Sequence, residues 1–246
     1  MPRLETLHLN GTNITGDGLA HLKTIPTLAV LDLRNNRISD DSLSHLQLLP
    51  KLEAVYLHDN PITDAGLQHL EPCHGLRFLG FSGSKIGDHG VNHIRGLKEL
   101  EYLGFHETSI TDKGVAQLGR LVKLRRLWLN GSMISDTSLR VLANFPELTQ
   151  LTLSDTPLTD NGLVHLRQAP KLEIVHLGNT QVTDAGLVHL QGLKLKVLDL
   201  EGTRITNNGL RHLGTMSSLR KLDVSDTSVT LEGVIQIARP DLWTNF

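Results

Sequence analysis

A leucine recurs every 24 residues along this chain, and that spacing limits the possible folds more than any other feature. The series runs Leu4, Leu28, Leu52, Leu76, Leu100, Leu124, Leu148, Leu172, Leu195 and Leu219, with one 23-residue step between Leu172 and Leu195. The missing residue falls in the turn around Gly192-Leu193-Lys194. A segment this short cannot bury its own apolar face, so the ten copies must stack on one another to make a core. The period predicts a single repeat domain over 1–246, with a partial eleventh copy or cap at 240–246.

Three residues after each opening leucine stands a second apolar residue, as in Leu31, Val55, Leu79 and Leu103. Two further on stands a third, as in Leu33, Leu57, Phe81 and Phe105. The one-residue gap between these two sets is the period of a strand. A small or amide residue follows in every copy: Thr12, Asn36, Asn60, Ser84, Thr108, Ser132, Thr156, Thr180, Thr203 and Thr227. Its side chain is suited to backbone groups that the bend leaves unpaired, so this column is structural. The second half of each copy, represented by Ile-Thr-Asp-Ala-Gly-Leu-Gln-His-Leu at 62–70, predicts a short helix. Thr or Ser provides its N-cap, except at Gly87. Asp40, Asp64, Asp112, Asp136, Asp160 and Asp184 sit in the first turn, where the helix dipole favours a carboxylate.

The pattern Leu-x-x-Leu-x-Leu-x-x-Thr-x-Ile-Thr-Asp-x-Gly-Leu-x-x-Leu, from residue 4 to about 237, resembles the leucine-rich-repeat superfamily. It is most similar to the Ile-Thr-Asp-x-Gly-Leu variety of F-box-associated and bacterial repeats, with Thr where the cysteine-containing variety has Cys. The resemblance implies an α/β solenoid, a horseshoe with a parallel sheet on its concave face and short helices on its convex face. It further implies a module that binds a protein or peptide, with no catalytic residues. A second implication is the substrate-receptor arm of a ubiquitin-ligase-type assembly, or a bacterial effector, although no F-box-like helical segment precedes Leu4.

Composition narrows the partner. Lys plus Arg (24) nearly balances Asp plus Glu (26), which offers no counterion-release drive toward nucleic acid and no basic face for a membrane. Cys73 is the sole cysteine, which rules out an internal disulfide and suits a reducing compartment; with no apolar leader at Met1, the expected location is cytoplasmic. Seven of the 13 histidines (His21, His45, His69, His93, His165, His189, His212) share one helix position and read as helix-surface residues. Trp243 lies 24 residues after Leu219, and Phe246 three beyond it. With Leu242 they either seal the last layer or open a further copy of a longer solenoid.

The positions that the template leaves free carry the functional signal. Strand side chains alternate, so the residues flanking each buried position project from the concave face. Tyr56, Phe78, Tyr102 and Trp128 gather there in four consecutive copies, among Gly80, Gly104 and Ser82. With strands about 4.8 Å apart, the two glycines should open a dent about 10 Å wide between Tyr56 and Trp128. Phe78, Tyr102, His58 and His106 would wall it, with Arg126 at its edge. Aromatics around a depression are the commonest chemistry of an interface hot spot. His58 and His106, flanked by Asp59 and Glu107, are the one metal constellation to weigh. They would have to converge over Ser82 to reach an ion at about 2.0–2.1 Å. No nucleophile–base–orienter set and no Gly-rich phosphate loop is present. The expectation is therefore a binding module with no metal, no cofactor and no enzymatic activity.

Overall fold

Each copy folds as its residue pattern dictates, into a short strand, a turn in left-handed backbone and a helical segment. The computed structural model describes residues 3–83 and 85–246, so Ser84 of the small-residue column lies outside the described residues. The chain divides into two compact units, Met1–Leu124 and Arg125–Phe246. In the first unit, strands β1 (Thr6–His8), β2 (Val30–Asp32), β3 (Ala54–Tyr56), β4 (Phe78–Ser82) and β5 (Tyr102–His106) lie in sequence order, each parallel to the next. In the second, β6 (Arg126–Trp128), β7 (Gln150–Thr152), β8 (Ile174–His176), β9 (Val197–Asp199), β10 (Lys221–Asp223) and β11 (Trp243–Asn245) do the same. This is the architecture of the expected α/β repeat solenoid. The core is the leucine pattern itself, for Leu31, Val55, Leu79, Leu103, Phe81 and Phe105 are all fully buried. Phe81 and Phe105 stack inside it at 5.7 Å between ring centroids. No helix among the described residues is long and apolar enough to cross a membrane.

The turn after each strand uses a column that the sequence reading passed over. Gly11, Asn35, Asp59, Gly83, Glu107, Gly131, Asp155, Asn179, Gly202 and Asp226 all have φ between +50 and +67°. Gly, Asn and Asp are the residues that tolerate that region. Glu107 is the only member of the column that is none of these, and it stands beside His106. Next comes the small-residue column, which behaves as expected. The Asn36 Nδ2 donates to the carbonyls of Leu9, Leu33 and Arg34, and its Oδ1 accepts from the Thr12 and Ile14 N–H groups. Thr156, Thr180 and Thr203 each donate to the carbonyl three residues back, at 2.6–2.7 Å.

The helix-start aspartates do more than complement a dipole. Asp40 reaches into the following copy, where its carboxylate accepts from the Thr63 N–H at 2.8 Å and from its hydroxyl at 2.6 Å. Asp88 binds Thr111, Asp136 binds Thr159, Asp160 binds Thr183 and Asp184 binds Thr206 in the same way. The template glycine makes room for this bond. A Cβ on Gly66 would stand 2.5 Å from the Asp40 Oδ1, and one on Gly186 would meet the Asp160 Oδ1. Asp, Thr and Gly of the motif therefore act together across a junction between copies.

The first junction departs from this rule in a compensated way. Gly16 stands where an Asp would, and Ser42 stands where the glycine would. The Ser42 hydroxyl accepts the Ser39 N–H at 3.2 Å, taking the place of the absent carboxylate, and it fills the space beside Gly16. Gly16→Asp alone should lower the melting temperature through collision with Ser42. Ser42→Gly alone should cost about 1 kcal/mol by leaving the Ser39 N–H without its acceptor. The double substitution rebuilds the template and should recover the wild-type melt. Additive losses in thermal denaturation would refute the compensation.

Two further expectations meet the structure differently. Among the described residues, five of the ten helical segments are a short α-helix running into 3₁₀ helix, Asp41–Leu48 and Asp136–Asn144 are 3₁₀ throughout, and Asp88–Ile94, Asn207–Leu213 and Leu231–Ile237 are α throughout. A 3₁₀ helix advances farther per residue, so it spans the copy with fewer residues. At the C-terminus, Trp243 pairs in register with Lys221 and not with Leu219. It therefore projects from the sheet with the Lys221 ammonium 5.1 Å from its ring centroid, 55% exposed like Phe246. Neither residue seals the layer, for a 22-residue step replaces the 24-residue one, moving Trp243 off the apolar slots and bringing Phe246, still exposed, level with Val224. Cys73 lies at its apolar helix-end position, where burial pushes its thiol up to about 11.

Candidate functional site

In the first unit, the residues flanking the buried strand positions form a continuous row. Asp32, 2% exposed, is held by Arg34 through Nε–Oδ1 at 2.9 Å and Nη2–Oδ2 at 2.7 Å. That bidentate pair, helped by the Arg34 backbone N–H and by His8, holds the Asp32 carboxyl below its usual range in spite of burial. The Arg34 guanidinium in turn stands 5.5 Å from the centroid of the Tyr56 ring. Tyr56 leans on Phe78 at 4.2 Å between centroids, and Phe78 stacks on Tyr102 at 3.9 Å with an interplanar angle of 13°. An ion pair and three aromatic rings thus run side by side across four strands. Asp32 and Arg34 were absent from the expected site; their spacing of two residues, which puts both on one strand face, was the signal available.

This geometry corrects the expected dent. Tyr56, Phe78 and Tyr102 stack in a row and do not ring an opening. Gly80, in register with Tyr56 on one side and Gly104 on the other, is buried. The cover over Gly80 is the imidazole of His58, since a Cβ built there would lie 2.7 Å from the His58 Nε2 and 3.4 Å from the Phe78 Cε1. A strand position without a side chain leaves its neighbours short of van der Waals partners, so the flanking ring leans into the vacancy. Ser82 pairs with His106 in register and donates its hydroxyl to the Asp59 Oδ1 at 3.2 Å.

The second unit holds the remaining two expected residues, Arg126 and Trp128, at the two ends of β6. Arg126 is exposed and Trp128 half-buried, and they pair in register with Gln150 and Thr152. Farther along the same face, the His176 Nδ1 lies 3.1 Å from the Asp199 Oδ2. The charge of Asp199, then burial and the charges of Asp223, Asp226 and Asp155, push the Glu201 carboxyl up. This face is acidic, whereas that of the first unit is aromatic.

Two half-buried imidazoles on the strand face of the first unit, His58 and His106, titrate low. Burial depresses His58 most, and the charges of His106 and Arg34 add to it, against Asp59 and a hydrogen bond with the Phe81 backbone. Burial also depresses His106, against Glu107. A base whose folded pKa is lowered leaves the unfolded chain holding more protons below about pH 6.5, so stability present above that pH is lost as pH falls through the folded pKa values. Between pH 7.5 and 5 the wild-type melting temperature should therefore drop farther than that of His58→Gln/His106→Gln. Parallel pH profiles for the two proteins would overturn this assignment. Among the described residues, no group of three or more His, Cys, Asp and Glu side chains is placed to hold a metal ion.

Comparison with known proteins agrees with this geometry. One leucine-rich-repeat family model matches residues 2–62, and a second matches 193–214 and 215–238. The chain is a leucine-rich-repeat protein. No curated protein sequence matches it. Among solved structures, this leucine-rich-repeat chain is similar to internalin C2 of Listeria monocytogenes at 26% identity and a TM-score of 0.64, over 81% of this chain and 80% of that one. It also superposes on a second Listeria monocytogenes internalin, inlF, at 20% identity and a TM-score of 0.58, over 98% of this chain and 86% of that one. A third is the Arabidopsis receptor kinase HAESA, solved with the peptide hormone IDA and a co-receptor. There the identity is 20% and the TM-score 0.64, over 92% of this chain but 39% of HAESA. The leucine-rich-repeat fold is typical of protein–protein interaction modules.

Proposed function

We propose that this leucine-rich-repeat protein binds a protein or peptide on its strand face, and that it does so as a recognition module with no catalytic step. One observation carries the reading. The row Tyr56–Phe78–Tyr102, anchored by the Asp32–Arg34 pair, places large rings on a rigid sheet. Tyr56 and Phe78, half-buried, offer contact area at little cost in conformational entropy, as hot-spot residues do, while Tyr102, 5% exposed, backs Phe78. Arg126 and Trp128, both hot-spot residue types, are the candidate contacts on the strand face of the second unit. HAESA, which shares the fold, was solved holding a peptide hormone, and a peptide is the ligand class we assign here. The unbroken 24-residue step from Leu100 through Leu124 to Leu148 supports treating all ten copies as one domain. Balanced charge favours protein over nucleic acid or membrane, and the buried free thiol of Cys73 fits a cytoplasmic location.

The test is affinity capture from a native lysate with paired variants. Tyr56→Ala/Trp128→Ala should lose the protein that the wild type retains, at a temperature where both are fully folded, its melting temperature being lowered by loss of the ring contact with Phe78. His45→Gln/His69→Gln, on the helix side, should keep it. The opposite pattern would move the site to the helices and overturn the reading.

A further inference from the structure

We infer that His58 occupies a socket built for an aromatic side chain of the partner, and that binding requires its imidazole to turn out. The inference rests on the strand-face reading above and names the chemistry recognised there. The floor of the socket is Gly80, with Gly104 beside it in the register of β4 and β5, so two adjacent strands present backbone and no side chain. The wall is Phe78, whose Cε1 stands 3.4 Å from where a Cβ of Gly80 would be. A flat ring already lies in this space, because the His58 Nε2 and Cε1 come within 2.7 and 3.0 Å of that same point. The space therefore has the dimensions of a ring lying beside an aromatic stack, and the glycine is what makes it available.

The occupant is held in its place by a hydrogen bond with the Phe81 backbone, against its burial. An imidazole is polar and titratable, and here it is half-buried beside Arg34 and His106. An indole or phenol ring would gain the same contacts with Phe78 without a charge to desolvate. The backbone of β4 is fixed on both sides by parallel pairing with β3 and β5, so vacating the socket does not let its floor collapse. Rigid apolar vacancies of this kind take up aromatic molecules.

Indole titrated into purified protein at pH 7.5, followed by the Gly80 amide resonance, tests the socket directly. His58→Ala should bind indole at least about tenfold more tightly than the wild type, and free imidazole should bind there too. Adding Gly80→Ala to His58→Ala should abolish both. A folded His58→Ala that binds no better than the wild type overturns the inference, as does binding that survives the added Gly80→Ala. A second measurement is independent of that variant's folding. In otherwise wild-type protein, Gly80→Ala must push the imidazole out, so the His58 ring resonances should shift and its titration should move up toward the ordinary imidazole range. An unmoved His58 overturns the inference equally. These outcomes are separate from the capture experiment. Failure of the socket leaves the loss of capture by Tyr56→Ala/Trp128→Ala standing, whereas retained capture there removes the binding reading even if indole binds.

Discussion

Phe78→Ala is expected to weaken partner binding by at least about 2 kcal/mol, roughly thirtyfold, more than any other single truncation on the face. Phe78 is the middle ring of the row, in contact with Tyr56 at 4.2 Å and Tyr102 at 3.9 Å, so its removal takes both ring contacts at once. Each such contact contributes about 0.5–1.5 kcal/mol, so stability should fall as well, by about 1–3 kcal/mol. Affinity must accordingly be measured well below the melting transition, for example by calorimetry with the captured partner. Phe78→Tyr retains the stack and should bind within about threefold of the wild type. Equal losses for Ala and Tyr would show that a detail of the ring edge matters and the stack does not.

A loss of stability as large as that of Phe78→Ala should come from the junction between copies. Gly114→Ala places a Cβ 2.4 Å from the Asp88 Oδ1, which must disturb a carboxylate that binds both the N–H and the hydroxyl of Thr111. The expected cost is about 1–3 kcal/mol. Asp88→Ala leaves the Thr111 N–H without its acceptor, at a similar expected cost. Because both changes break the same bond, the double variant should lose clearly less than the sum of the singles in urea denaturation. Strict additivity would show that Gly114 and Asp88 act separately, and the account of the motif given above would fail.

Much of this was legible in the sequence because it rests on burial, and burial follows period. The leucine columns specify the strands, the side on which the core lies and the solenoid class. The Asn and Thr column could be read because a lone amide or hydroxyl at the end of a strand has few uses besides satisfying backbone. What escaped was pairwise. Asp40 and Asp136 were read against their own helix, yet their partners Thr63 and Thr159 stand 23 residues away. A column-by-column reading sees one copy at a time and does not register such bonds. The same limit produced the dent, since Gly80 and Gly104 are indeed adjacent, but only coordinates place the His58 ring over one of them. Trp243 was misplaced because the 24-residue step does not persist to the last strand.

The compensated pair Gly16 and Ser42 shows what kind of module this chain is made from. In a chain grown by duplication, the segment from one opening leucine to the next looks like the natural part to copy, delete or graft. The bonds fall otherwise, since each carboxylate belongs to one segment and its hydroxyl and glycine to the next. A segment moved to a new position therefore carries two half-joints that must find matching halves. The exchanged joint of Gly16 and Ser42 fits only a following segment with serine at the glycine position, as the sixth copy has in Ser138. Drift at such a protein is constrained in neighbouring pairs, and because Asp40 and Gly66 stand 26 residues apart, no single 24-residue part holds a whole joint wherever it is cut, so a library of interchangeable parts drawn from it should be built of two copies or more.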